Sequence, residues 1–396
     1  MESSSKNRVA RGASGLFDRL AAAPRLIKTF RVAFLLFIYV TFAAISFNGF
    51  YQKWGLRDSD GAWDNDVKYS FVKMIEGDAH KPFVYKSLLP VMANAFDAAI
   101  PDNVRTWALR ELNKKNWWEV RNLTTQMRLA PQLRNEYLLR YYFVYFACVA
   151  FMLAALFVMR AICIEIGYGK VAATISPCVF SFVFVYFMSM GGFFYDFPEI
   201  FFLALAFLLA LRASWLLLVP LTIFATLNKE VFIIFLIALL PLIRAHVSRM
   251  KTLLIGGGLM AVGAATHLIV RQVFAANPGG LESWLPQSIK FYSDLSNMIA
   301  FEVNFGIVTP RAYSLFTFVM LMALIVGGWR KLPVAVRQHA LLAIALNVPL
   351  VLVFCGPGEL RNFSICFVAL FMLIAVNVQR WAAEAESPVS EGLNKA

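Results

Sequence analysis

Residues Leu138–Met159 read LLRYYFVYFACVAFMLAALFVM, a run whose one charged side chain, Arg140, sits near its start. As a helix rising 1.5 Å per residue, such a run covers about 30 Å, the thickness of a hydrocarbon layer. Runs like it recur on both sides: Arg31–Phe50 before it, and Val171–Met190, Ile200–Leu211, Trp215–Leu227, Val231–Ile243, Leu253–Val270, Tyr313–Trp329, Ala340–Cys355 and Ser364–Val378 after it. The 396 residues are 60% hydrophobic and 15% aromatic, with a mean hydropathy of +0.64, whereas a soluble domain is about 45–50% apolar. The expectation is an all-α polytopic membrane protein of about ten transmembrane helices. The runs beside Arg212 and Lys229 are shorter than about 17 residues and are expected to be tilted or only partly spanning.

The net charge of +13 matters by its placement. Arg8, Arg11, Arg19, Arg25, Lys28 and Arg31 precede the first run, so residues 1–30 are expected to be a basic cytoplasmic tail. The apolar stretch after this tail is too long and too aromatic for a signal-peptide core, and no small-residue cleavage site follows it. Threading the runs from there places Arg160, Lys170, Arg212, Arg244, Arg249, Lys251, Arg330, Lys331, Arg337 and Arg380 on the cytoplasmic side, as the positive-inside rule requires. The transmembrane domain is then 31–378, with 379–396 a second cytoplasmic tail in the inner membrane of a bacterium. No base-stacking or basic-patch module is visible, so no nucleic-acid partner is expected.

Between the first two runs lies one large polar segment, 51–137, expected to be extracytoplasmic. Within it Phe83–Ile100 is interrupted by Lys86, Pro90 and Asp97, and Arg105–Arg128 alternates charges with Trp107, Trp117 and Trp118, a pattern of helices lying in the interface. A true span at Phe83–Ile100 is the alternative, and it would invert everything downstream. All five cysteines fall in or beside apolar runs without metal-ligand spacing, and the four histidines are dispersed, so a zinc site is not expected.

The remaining outside turns are Gly191–Glu199, Asn228-Lys229-Glu230, Arg271–Ala312 and Gly356–Phe363. Acids and bases cluster there, whereas the inside turns carry mostly Lys and Arg. The run Asp58-Ser59-Asp60-Gly61-Ala62-Trp63-Asp64-Asn65-Asp66 holds four carboxylates in nine residues. One of them can serve as a general base with a raised pKa, the group can hold a divalent cation, or the run is a solvated turn. Asp196, between Gly191-Gly192 and Pro198, offers a second carboxylate. Lys229 beside Glu230, and Arg361 beside Glu359, can hold a phosphate, Arg through a bidentate fork and Lys as a point charge. The plainer reading is a pair of structural bridges, Lys229 with Glu230 and Glu359 with Arg361. Lys86 is a further candidate for a lipid phosphate, or an anchor to anionic headgroups.

This layout, with Pro82–Pro90 (Pro-Phe-Val-Tyr-Lys-Ser-Leu-Leu-Pro), Tyr195-Asp196 and Asn228-Lys229-Glu230, resembles the GT-C superfamily of polytopic glycosyltransferases. Its bacterial members that use polyprenyl-phosphate sugars are the nearest comparison. The resemblance implies transfer of a sugar from such a donor to a lipid-linked, glycan or protein hydroxyl at the extracytoplasmic face, among membrane lipids. It places the catalytic carboxylate in the first outer loop, on Asp60, Asp64 or Asp66. Asp66 precedes Tyr69 by three residues, and Asp64 follows Trp63 as in the Trp-Asp pair of mannosyltransferase relatives. This chain departs from the pattern in having Lys at 86 and 229, where many relatives have Arg, and in showing no large soluble domain after Val378. The rival readings are a transporter or flippase for a lipid-linked glycan, and a polysaccharide polymerase or ligase.

Overall fold

Hydrocarbon offers backbone N–H and C=O groups no water, so an apolar run must bond them within itself, and the runs above do so as α-helices. The computed structural model describes residues 24–56, 69–113, 134–304 and 306–393. The helices are α1 (Pro24–Trp54), α2 (Phe71–Glu76), α3 (Leu88–Ala99), α4 (Asp102–Asn113), α5 (Arg134–Ile166), α6 (Lys170–Phe187), α7 (Asp196–Leu211), α8 (Trp215–Asn228), α9 (Phe232–Ala238), α10 (Leu240–Arg244), α11 (Arg249–Val273), α12 (Leu285–Ser293), α13 (Leu315–Gly328), α14 (Val334–Phe354) and α15 (Phe367–Leu393).

Six helices among the described residues are long and apolar enough to cross a membrane: α1, α5, α6, α11, α14, and α15 with the turn before it. The protein is therefore a helical, membrane-embedded chain. Other apolar helices are shorter: α7 has 16 residues and α8 and α13 have 14 each, so they reach about 21–24 Å at 1.5 Å per residue. α3 has 12 residues and is shorter still, about 18 Å. It packs against α5.

α9 and α10 form one apolar helical segment broken at Leu239. Pro241 in the first turn of α10 has no N–H to continue the ladder. The Leu242 N–H turns to Leu239 O, which releases the Ala238 carbonyl. That carbonyl accepts from His339 Nδ1 of α14 at 2.7 Å, which requires the tautomer with the proton on Nδ1.

One element departs from the all-α expectation. Within the stretch read only as the turn Arg271–Ala312, β1 (Phe301–Asn304) pairs antiparallel with β2 (Ile307–Pro310), Phe301 opposite Pro310 and Asn304 opposite Ile307. Val303, Ile307, Val308 and Thr309 are β-branched, and Gly306 takes φ +79° at the turn, so a hairpin suits this sequence. Two four-residue strands give only a weak periodic signal beside long apolar runs.

Contacts between helix termini define two ends of the bundle. At one, Trp54 Nε1 donates to Met188 O (2.7 Å), Asn228 Nδ2 to Tyr195 O (2.9 Å) and Tyr186 Oη to Arg311 O (2.8 Å). At the other, Arg212 pairs with Glu165 (2.7 Å), Gln379 Oε1 accepts from the Gly169 N–H (2.7 Å) and Arg380 Nη1 donates to Gly327 O (3.1 Å). The first end carries the mixed acids and bases, and the second the basic turns.

Candidate functional site

The centre of the first end is the N-terminus of α7. Asp196 and Glu199 lie in its first turn, where the aligned peptide dipoles favour negative charge. Pro198 occupies a position whose N–H would have no helical acceptor. The Asp196 carboxylate also accepts from the Phe193 N–H (2.9 Å), which secures the approach to the helix. The expectation that Asp196 lies in the connecting turn is thus refined: it is helical, and its side chain is 2% exposed.

Two cations from distant elements close on these acids. α8 ends at Lys229, which takes extended backbone at φ −161°, ψ 123°. Its ammonium lies 2.7 Å from Glu199 and 3.4 Å from Asp196. Arg361, on the turn leading into α15, reaches Asp196 at 3.1 Å through Nη1 and Glu359 at 2.7 Å through Nη2. Ser364 donates to Glu199 (2.5 Å) and Asn362 to Glu359 (3.0 Å). Three carboxylates against two cations leave this cluster formally at −1.

A separate pair stands beside it. Lys86 Nζ lies 2.6 Å from both carboxylate oxygens of Glu230, tying Pro82–Pro90 to the turn after α8. The Lys229–Glu230 bridge does not form, because each residue has a different partner; the Glu359–Arg361 bridge does. Burial by itself lowers the Lys229 ammonium, but Glu199 and Asp196 outweigh it and hold the group above its usual range. Burial raises the Glu230 carboxyl, and Lys86 more than reverses that, leaving it below the usual carboxylate range. Both side chains are charged at neutral pH.

Gly191 and Gly192 allow this packing. A Cβ on Gly191 would stand 2.8 Å from Glu359 Cδ, and one on Gly192 would stand 2.8 Å from Trp54 Cδ1 and 2.9 Å from Phe50 Cδ2. Only residues without a side chain let Glu359 approach one side of this segment and α1 the other.

A cavity of about 950 Å³ opens over the cluster, and Lys86, Lys229, Glu230, Glu359 and Arg361 all line it. Asp196 and Glu199 stand behind, fixing the two cations from the protein side. An aromatic group forms one wall: Phe193 stacks on Tyr195 (5.0 Å, 11°), lies 5.7 Å from Tyr69 and 5.6 Å from Phe83, and takes the Arg361 guanidinium at 4.7 Å. Val231, Ile234, Leu350 and Phe354 make an apolar side, and Phe354 is exposed on the surface of α14.

Asp60, Asp64 and Asp66 lie outside the described residues, so their place relative to the cavity is not part of this geometry. Tyr69, three residues after Asp66, lines the cavity. Among the described residues no group of three or more His, Cys, Asp and Glu is arranged to hold a metal ion, since the acids are interleaved with cations. Sequence reasoning passed over Ser364 and Asn347. Ser364 sits one helical turn from Arg361, which is the signal that could have found it. Asn347, buried within α14, donates to Asn362 O (3.0 Å), and a lone amide inside an apolar run is a comparable signal.

No protein family, curated protein or solved structure matches this chain.

Proposed function

We propose that the chain is a membrane glycosyltransferase that moves a sugar from a polyprenyl-phosphate donor to an acceptor hydroxyl. The observation that carries this reading is the meeting of Lys86, Lys229, Glu230, Glu359 and Arg361, from three distant parts of the sequence, on a cavity with one apolar side. A cavity with cations at its floor and one apolar wall suits an amphiphile with an anionic head, which reaches Arg361 by displacing Glu359, the acid of the cluster that lines the cavity and is a quarter exposed.

The bundle crosses the membrane about ten times, the short helices spanning where the bilayer thins around them. The basic end faces the cytoplasm of a bacterium and the cavity faces out. In the reaction, Lys229 and Arg361 stand against the donor phosphate, already oriented by Asp196 and Glu199. As the bond between the sugar's anomeric carbon and the phosphate oxygen breaks, negative charge grows on the leaving phosphate. Cations fixed in place stabilise that charge without reorganising. A first-loop Asp takes the acceptor's proton, and the acceptor oxygen attacks the anomeric carbon with inversion. Asp66 is the first choice by reach, because three residues span at most about 10 Å from Tyr69.

The test is transfer from a panel of radiolabelled polyprenyl-phosphate sugars in proteoliposomes. Lys229→Ala and Arg361→Ala abolish transfer, and at least one of Asp60→Asn, Asp64→Asn and Asp66→Asn does the same. Full activity in all three Asn variants removes the general base. Glycan or lipid flux with no sugar transferred from any donor overturns the enzyme in favour of a transporter.

A further inference from the structure

A second cavity, of about 760 Å³, lies between the site ends of α1 and α6 beneath the β1–β2 hairpin. The Gly191-Gly192 segment separates it from the first. Glu359, a wall residue of the first cavity, packs against Gly191, and Phe50 and Trp54, wall residues of the second, pack against Gly192.

The second cavity has different chemistry. Phe30, Phe34, Phe37 and Ile45 follow one another at helical spacing along α1 and are exposed, as a lipid-facing stripe must be. Continued by the same spacing, the stripe changes to Asn48 and Gln52, also exposed, which open into the cavity and bond each other at 3.2 Å. Amides on a face that is otherwise apolar are unfavourable against hydrocarbon and favourable against a polar ligand. Ser46 and Asn304 also line it but are buried and engaged within the protein: the Ser46 hydroxyl donates to Ser181 O (3.4 Å), and the Asn304 amide donates to Glu302 (3.1 Å) and Thr309 (2.9 Å). Lys53 is the one charged residue among the described lining, and its charge is offset by Glu302 at 3.2 Å while it donates to Asn304 at 2.7 Å. An ionic headgroup therefore meets no uncompensated partner here, whereas the exposed Asn48 and Gln52 amides present both donor and acceptor chemistry to a hydroxyl. Ile45 and Phe182 border the cavity and are about half exposed, so its mouth faces the surrounding lipid.

We infer that this cavity binds the uncharged, hydroxyl-bearing headgroup of an amphiphile that enters from the leaflet, with its chain along Ile45 and Phe182. The site is independent of the charged cavity and does not rest on the glycosyltransferase reading.

The test uses the full chain in phosphatidylcholine nanodiscs and a photoreactive alkyl glucoside carrying a diazirine in its chain, with crosslinked peptides mapped by mass spectrometry. Labels concentrate on the peptides around Ile45 and Phe182, excess octyl glucoside competes, and octyl phosphate does not. The double variant Asn48→Leu, Gln52→Leu, which leaves an apolar face compatible with lipid, loses labelling about tenfold, as expected for two hydrogen bonds. Asn48→Gln retains it, and so does Lys229→Ala. Undiminished labelling in the Leu variant overturns the inference. So does equal competition by octyl phosphate, or labelling spread evenly over the lipid-facing helices.

Discussion

Replacing Asp196 with Leu removes the acid that two buried cations share. Arg361 Nη1 lies 3.1 Å from the carboxylate and Lys229 Nζ 3.4 Å from it. At an effective dielectric of about 20, each unit pair at these separations is worth about 5 kcal/mol of Coulomb attraction. The net loss is smaller, because Glu199 still holds Lys229 and Glu359 still holds Arg361, and because the Asp196 charge no longer has to be desolvated. Breaking a buried pair costs about 3–5 kcal/mol where the remaining charge is left alone; here both cations keep a carboxylate, so the expected loss is about 1–3 kcal/mol, the worth of the charged hydrogen bonds removed from side chains that are 2% and 7% exposed. Equilibrium unfolding in mixed micelles as a function of the mole fraction of sodium dodecyl sulfate measures the loss. The decisive comparison is a cycle. Because Arg361→Leu alone leaves Asp196 under-compensated, the double variant costs less than the sum of the two single ones, with a coupling of about 1–3 kcal/mol. Strict additivity, or a loss below about 1 kcal/mol for Asp196→Leu, refutes the claim that this cluster organises the end of the bundle.

The Lys86–Glu230 pair predicts a response to acid. A carboxyl whose folded-state pKa is depressed contributes stability that is fully present above its ordinary value of about 4.3 and is lost as pH falls through the lower folded value. Wild-type stability therefore declines more steeply below about pH 4.3 than that of Glu230→Gln, and parallel curves would show that the pair is not formed in solution. Gly192→Ala places a methyl against Phe50 and Trp54; overpacking of this kind costs about 1–3 kcal/mol and is read from the same unfolding curves, with a wild-type midpoint counting against the packing described. His339→Phe keeps an aromatic ring between Phe207 and Phe235 but strips the Ala238 carbonyl of its donor, at a cost of about 1–3 kcal/mol. Unchanged stability in that variant would mean that the broken helix satisfies this carbonyl some other way.

The membrane class and the order of helices were legible because they depend on composition and local periodicity. An apolar run has no alternative to a helix wherever the surrounding medium cannot bond its backbone. The runs Val171–Met190, Leu253–Val270 and Ala340–Cys355 each correspond to a helix that ends within a few residues of the boundary read. The hairpin at 301–310 was not legible, since two four-residue strands give a weak periodic signal beside so many long ones. The pairing of charges was not legible either. Lys229 has Glu230 as its neighbour in sequence, yet α8 ends in extended backbone at Lys229 and turns its side chain toward α7, while Glu230 faces the Pro82–Pro90 segment.

Sequence alone, then, determined that this chain lives in a membrane, roughly where its long apolar helices lie, and that its mixed acids and bases gather at one set of turns. These are properties of single segments in a solvent, and each segment carries its own answer. Which acid holds which cation, and that five of the residues share one cavity, was decided by how α7, α8 and the turn before α15 pack. Electrostatic partnership depends on distances of 3–4 Å between groups that are 30 to 165 residues apart, and no local pattern encodes it.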